Sequence, residues 1–298
     1  MSGMRLATVR FWLQVSRPGL WFPTLWLYLL PLGSPAGTTT GAGPPWHHPA
    51  FWVGLVYCSF PLNFLVYGWN DRVDRGTDRL NPRKGNWLFG ARGDDAALDR
   101  LPRALAGVTL ASFAALAWLD GPRQLLLGLG IAAVCWAYNR EPGGWRGRPP
   151  LELLCQVGYL LVVPLSAWLN GVPLPPLATW LYLALFTAQS QLMGEVMDIG
   201  PDRQAGRATT ATRLGTRRTK LLIIAVVAAE TALAFAVFGD ALFGGALAAF
   251  LAWLVLDVSV VFRARPYTLA QMKALGVVSN LMAVASMVYV WQTGCLLG

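Results

Sequence analysis

Two acidic triplets share one spacing, and each closes a long apolar run: Asp71, Asp74 and Asp78, and Glu195, Asp198 and Asp202. Offsets of three and then four residues put the three carboxylates of a triplet on one face of a helix. Neither face is charge-balanced along its own helix, so such a face beside a membrane holds something cationic. For clustered hard oxygens that is Mg²⁺, with Mn²⁺ as a substitute. The spacing assigns Asp71, Asp74 and Asp78 to one metal group and Asp198 and Asp202 to the other, with Glu195 joining the second. Two ions facing each other suit a diphosphate, whose leaving charge they neutralise so that an allylic C–O bond can ionise. The competing account is a solvated helix end whose acids pair with nearby arginines; it has to explain carboxylates at a membrane edge, where they are costly.

Other residues fall close enough to serve the same chemistry. Asn70 offers a neutral oxygen or amide beside the first triplet, and Arg79, Arg83, Lys84, Arg207 and Arg213 are candidates for phosphate contact. An allylic cation needs a dry pocket with aromatic faces. Interfacial aromatic belts explain most such residues without chemistry; of Trp21, Phe22, Trp26, Tyr67, Trp69, Tyr138 and Tyr159, the choice falls on Tyr67 and Tyr138, and the others stay open between the two readings. Gln191, one turn before Glu195, is placed in the cavity, whereas Asn63, Gln156, Gln189, Glu230, Asp257 and Asn280 read as interhelical hydrogen bonding.

The elements that carry these residues are membrane spans. Of 298 residues, 55% are hydrophobic and 13% charged, and the mean hydropathy is +0.46, too apolar for a soluble domain. Nine apolar segments can be drawn, at 12–32, 50–69, 104–119, 123–138, 152–170, 175–199, 219–238, 241–262 and 271–294, against the ~20 residues that cross hydrocarbon. With the N-terminus inside, every one of the 24 Lys and Arg except Arg123 falls on the inner side. This bias orients the chain with its N-terminus and both triplets in the cytoplasm and its C-terminus outside, in the plasma membrane for a prokaryote. The net charge of +9 therefore reflects cytoplasmic span ends facing anionic lipid, and no nucleic-acid partner is expected. Cys58, Cys135, Cys155 and Cys295 read as buried small residues, and His47 and His48 as surface residues of an outer loop. The first span lacks a cleavage site and is expected to be retained.

Two long inner connections, 70–103 and 200–218, contrast with short outer ones, so function is sought on the inner side. Asn81-Pro82 with Gly85, and Ala205-Gly206, end the helices that carry the triplets. NDRVDRGTDRLNPRK (70–84) and GEVMDIGPDRQAGR (194–207) form a weak internal repeat, from which one chain can build a two-sided metal site.

Asn70-Asp71-x-x-Asp74-x-x-x-Asp78 resembles the NDxxDxxxD signature of the UbiA superfamily of intramembrane prenyltransferases, and Asp198-x-x-x-Asp202 is similar to its second motif. The resemblance covers essentially the whole chain. It implies a single-domain, all-α bundle of nine transmembrane helices with a central cavity open to lipid. It implies Mg²⁺ held by both motifs, and transfer of a prenyl group from a polyprenyl diphosphate to a hydrophobic aromatic, lipid or carotenoid-like acceptor. Arg17-Pro18 is similar to the family's Arg-Pro and adds Arg17 as a cavity residue; Tyr138-Asn139-Arg140 lacks the family's Ser.

A terpene cyclase of the same superfamily, in which the prenyl chain's own double bond is the nucleophile, uses the same motifs; a transporter of an anionic lipid or ion is the alternative of another class. The topology has a direct test. A cysteine at Asn86, in a chain without native cysteines, should react with an impermeant thiol reagent only in inverted vesicles, and one at Thr39 in intact cells. The opposite pattern would place the acids where cytosolic donors cannot reach them.

Overall fold

A computed structural model describes residues 2–33, 44–93 and 95–297. Among them there is no β-strand; the chain forms helices α1 (Ser2–Val15), α2 (Phe22–Leu29), α3 (Pro49–Val73), α4 (Arg75–Leu80), α5 (Asp95–Asp120), α6 (Pro122–Asn139), α7 (Gln156–Leu160), α8 (Val162–Leu169), α9 (Leu177–Gln204), α10 (Thr210–Leu214), α11 (Thr216–Ala236), α12 (Ala241–Leu256) and α13 (Leu269–Thr293). Among the described residues six segments are long and apolar enough to cross a membrane: 49–73, 95–120, 151–169, 216–236, 241–261 and 269–293. Their free faces are apolar. Leu281 and Met282 on α13 are 66% and 56% exposed and Trp118 on α5 is 89% exposed, an arrangement that lipid, and not water, solvates.

The drawn spans differ from the helices where proline and glycine intervene. Segment 12–32 is two helices, because Arg17, preceding Pro18, leaves the helical region (φ 51°) and turns the chain before α2. The short third and fourth segments lengthen into α5 and α6, with only Gly121 between them. Segment 152–170 begins as a 3₁₀ turn, Leu151–Cys155, before α7 and α8. α4 ends before Asn81-Pro82 and α9 before Ala205-Gly206, as the breakers require. The four cysteines are free.

α2 packs against α3, α8 and α13, while α3 packs on α5, α5 on α6, α9 on α11 and α11 on α12. The largest apolar cluster surrounds α2 through Leu27, Tyr28, Leu30, Leu165 and Leu183. A second cluster, with Val15, Phe64, Leu98 and Leu101, lies under the acid-bearing end of α3, and a third, with Leu192, Val196, Ile223 and Leu254, under that of α9. The ends bearing the two triplets thus rest on separate apolar blocks. An open apolar groove on the surface lies between α3 and α5, lined by Trp52, Val56, Tyr57, Pro61 and Leu116, in the halves of these helices remote from the acids. It is not the central cavity expected from the sequence.

Thr39 lies outside the described residues. Asn86 is a turn residue whose amide donates to the Arg83 carbonyl and whose oxygen accepts from Leu88 and Phe89 N–H. Exposed Gln204 and Leu174 are therefore the labelling positions that leave the fold undisturbed.

α2 and α3 touch at Gly54, where an added Cβ would fall 2.4 Å from Tyr28 Oη, itself donating to the Phe51 carbonyl at 2.8 Å. Gly54→Ala should cost about 1–3 kcal/mol, whereas Gly245→Ala on α12, with nothing within 4 Å, should be neutral. Thermal unfolding of both variants in one detergent measures the difference, and equal melting temperatures would refute the contact.

Candidate active site

α3 delivers Asp71, and α4 delivers Asp78. The junction between them is nearly seamless, since Asp74 N–H donates to the Asn70 carbonyl and Asp78 N–H to that of Asp74. The one-face geometry expected of the triplet follows from this continuity. α9 delivers Glu195, Asp198 and Asp202 from one uninterrupted helix.

The two motifs meet. Asn81 Nδ2 donates to Asp198 Oδ1 at 2.9 Å, and Arg83 pairs with the same carboxylate. In the other direction, Arg207 pairs with Asp74 and reaches Asp202 Oδ1 at 3.4 Å. Lys84 Nζ lies 2.5 Å from Asp71 Oδ1 and 2.8 Å from Asp78 Oδ2, and Arg146 is a second cation on Asp74. Burial pushes the Asp78 carboxyl up to about 6, against the pull of Lys84. Asp71 and Asp74 are 4% and 3% exposed, so these are charges out of bulk water that need their partners.

Arg17 joins them. Its guanidinium donates to Asp71 Oδ1 at 2.7 Å and lies 4.3 Å from the centre of the Tyr67 ring. A left-handed backbone at a non-glycine residue is strained, and these two contacts hold it. Gly90 (φ 101°) accommodates the side chain, since a Cβ there would fall 2.9 Å from Arg17 Nε.

Glu195 sits apart from the cations. It accepts from Gln191 Nε2 at 3.3 Å and from the Ala211 N–H at 3.1 Å, and Gln191 in turn accepts from Gln156 Nε2 at 2.9 Å. A polar ladder therefore climbs from the acids into the bundle along the side of α9 that carries the second triplet. Half-buried Tyr138 faces the Asp74, Arg207 and Arg146 cluster from α6, and Asn70 is half-buried beside the first motif. Arg79 and Arg213 are not brought to the acids: Arg79 pairs with Asp95 at 2.6 Å on the surface, because it leaves α4 on the side away from Asp78, and Arg213 is exposed at the end of α10.

Three residues of the site escape sequence reading. Asn81 reads as a helix stop and not as a bridge, yet its amide links the motifs. Arg146 reads as one of many inner charges; its loop, dense in Gly and Pro between α6 and the 3₁₀ turn, was the available signal. Glu152, 1% exposed, accepts from both the N–H and the hydroxyl of Thr210 at 2.6 Å and so fixes the loop that carries Arg207; no spacing marks it.

The donor chemistry suits a hard dication: the acids offer only carboxylate oxygens, and Asp71 Oδ2 is buried with no partner among the described residues. As placed, no three acids among the described residues converge enough to hold an ion by themselves, since a lysine or arginine engages most of them.

Comparison with known proteins agrees with this architecture. The model of the UbiA prenyltransferase family matches residues 20–282. The chain is 31% identical over 215 residues to a lycopene elongase/hydratase of Corynebacterium glutamicum, covering 70% of this chain and 71% of that one. To a lycopene elongase/hydratase of Halobacterium salinarum it is 33% identical over 201 residues, 66% and 70% of the two chains. A UbiA homologue from Archaeoglobus fulgidus, solved with DMAPP and Mg²⁺, superposes with a TM-score of 0.69 at 17% identity, over 93% of this chain and 99% of that one; its complex with GPP and Mg²⁺ gives 0.62 at 18% identity over the same shares. The chain belongs to the UbiA prenyltransferase family, and it is a membrane prenyltransferase.

Proposed function

We propose that this prenyltransferase ionises a prenyl diphosphate at the inner end of the bundle with Mg²⁺ or Mn²⁺ and passes the prenyl group to a hydrophobic, carotenoid-like acceptor. The observation that carries the reading is the cross-linking of the two acidic motifs by Asn81, Arg83 and Arg207, which makes one site out of two distant sequences. Nine crossings of a single domain, with the N-terminus and acids in the cytoplasm and the C-terminus outside, belong to the same proposal. The acceptor class draws on the relatives named lycopene elongase/hydratase.

Asp71, Asp74 and Asp78 on one side, and Asp198, Asp202 and Glu195 on the other, would hold the metal, which neutralises charge on the leaving diphosphate. Arg17, Arg83, Lys84 and Arg207 take diphosphate oxygens, joined by Arg146, with Asn70 as a neutral donor. The C–O bond breaks with both electrons leaving on the diphosphate, and the rings of Tyr67 and Tyr138 face the allylic cation. The acceptor's double bond then supplies the pair for a new C–C bond, and the charge passes to the acceptor. It is discharged by loss of a proton or by addition of water. The ladder of Gln156, Gln191 and Glu195 is the polar place for that step.

Activity should vanish in excess chelator and return with Mg²⁺. Asp71→Asn and Asp198→Asn should each lower turnover by on the order of 100-fold or more in folded protein, and the double variant should be little worse, because the motifs act as one unit. Additive losses in rate would argue for two independent sites. Incubated with a prenyl diphosphate alone, the protein should yield no terpene, and with lycopene added it should yield a prenylated carotenoid; hydrocarbon or terpene alcohol from the donor alone would convert the reading to a cyclase.

A further inference from the structure

Residues 81–90 form a strap between the two motifs. Asn81 and Arg83 hold it to Asp198, and Arg92 Nη2 donates to the Asn81 carbonyl at 2.8 Å. The strap inserts Lys84 between two carboxylates of the first motif, 2.5 Å from Asp71 Oδ1 and 2.8 Å from Asp78 Oδ2, with the lysine side chain only 5% exposed. Arg17 also holds Asp71 Oδ1, so the one uncommitted oxygen of that carboxylate is Oδ2.

We propose that Lys84 is a built-in competitor of the metal ion, and that its transfer from the carboxylates to the diphosphate makes metal and diphosphate bind cooperatively. The proposal rests on the metal-dependent reading above. Lys84 occupies Asp71 Oδ1 and Asp78 Oδ2, two of the oxygens a dication at these acids would draw on, and its charge at that distance opposes a second cation beside it. Displaced with nothing else present, the ammonium would be left buried and unpaired, which is strongly unfavourable. With diphosphate in the site, the displaced ammonium gains charge-assisted bonds to phosphate oxygens. The metal alone therefore binds against Lys84, and the metal with diphosphate binds together with it, a coupling that works equally in both directions. The same lysine keeps the carboxylate pair compensated before substrate arrives, so the inner end of α3 does not depend on a metal to fold.

The test uses the full-length chain in lipid nanodiscs and reads binding, not turnover. Mn²⁺ affinity is measured alone, from the spin-resonance signal of the free ion. Retention of labelled inorganic pyrophosphate is measured separately at saturating Mg²⁺. Lys84→Met should bind Mn²⁺ at least about tenfold more tightly than the wild type while holding pyrophosphate about tenfold more weakly, opposite signs that a simple structural ion pair does not give. Lys84→Gln serves if the Met variant fails to fold, as judged by its thermal unfolding. Arg103→Gln, which removes an exposed charge of α5, should change neither constant. Equal or weaker Mn²⁺ binding by the Lys84 variants, or an equal gain in Arg103→Gln, would overturn the competitor role and leave the proposed reaction standing. Absence of Mn²⁺ binding together with absence of Mg²⁺-dependent pyrophosphate retention in every variant would overturn both.

Discussion

Everything at the acid-bearing end of this bundle answers to one constraint: carboxylates of like charge are crowded where little water reaches them. Asp71 and Asp74 are almost fully buried within one turn of each other. Such groups persist only with opposite charges beside them, and the chain draws those charges from four separate places: Arg17 before α2, Arg83 and Lys84 after α4, Arg146 after α6 and Arg207 after α9. These five cations are anchored in four different connections. Neutralising the acids therefore assembles the inner face from loops that have little apolar surface of their own to hold them together.

The membrane imposes the complementary condition on the spans, whose polar groups must find partners inside the bundle. Asn63 donates to Thr24 Oγ1 and to the Cys58 and Ser59 carbonyls; Ser166 donates to the Tyr28 carbonyl, and Asn280 to that of Gly19. These bonds centre on α2, which lies between α3, α8 and α13. Lys220 is paired with Asp257 at 2.8 Å and lies 4.2 Å from the centre of the Tyr267 ring, which ties the connection before α13 to α11 and α12. The close approach at Gly54 serves the same end, because helices in lipid gain more from contact than from hydrophobicity.

The candidate site lies where these two demands meet. The same guanidinium and ammonium groups that compensate the acids are those a diphosphate would engage, and the same carboxylates are those a dication would bind. A site built of paired opposite charges needs little rearrangement of the bundle to take up a substrate of mixed charge, since ion pairs exchange partners while the apolar blocks under α3 and α9 stay in place. The polar ladder from Glu195 to Gln156 continues this gradient from the charged inner end toward hydrocarbon.

The amino-acid sequence by itself determined the membrane setting and the placement of the acids on their helices. Hydropathy marks the spans, breakers such as Asn81-Pro82 and Ala205-Gly206 end the helices of the site, and the spacing of the acids puts them on helix faces; all of these depend on neighbours a few residues away. Its weak points were local too: a run of apolar residues hides the break that Arg17-Pro18 imposes, and the many inner arginines look alike. Only the tertiary structure decided that Arg146 and Arg207 share Asp74 while Arg79 turns to Asp95, that Asn81 crosses to Asp198, and that Glu152 secures the loop beyond α9. Two of those choices, Arg207 with Asp74 and Asn81 with Asp198, are made across more than a hundred residues of chain, and nothing in local spacing encodes which of several equivalent side chains the packed helices will bring within reach.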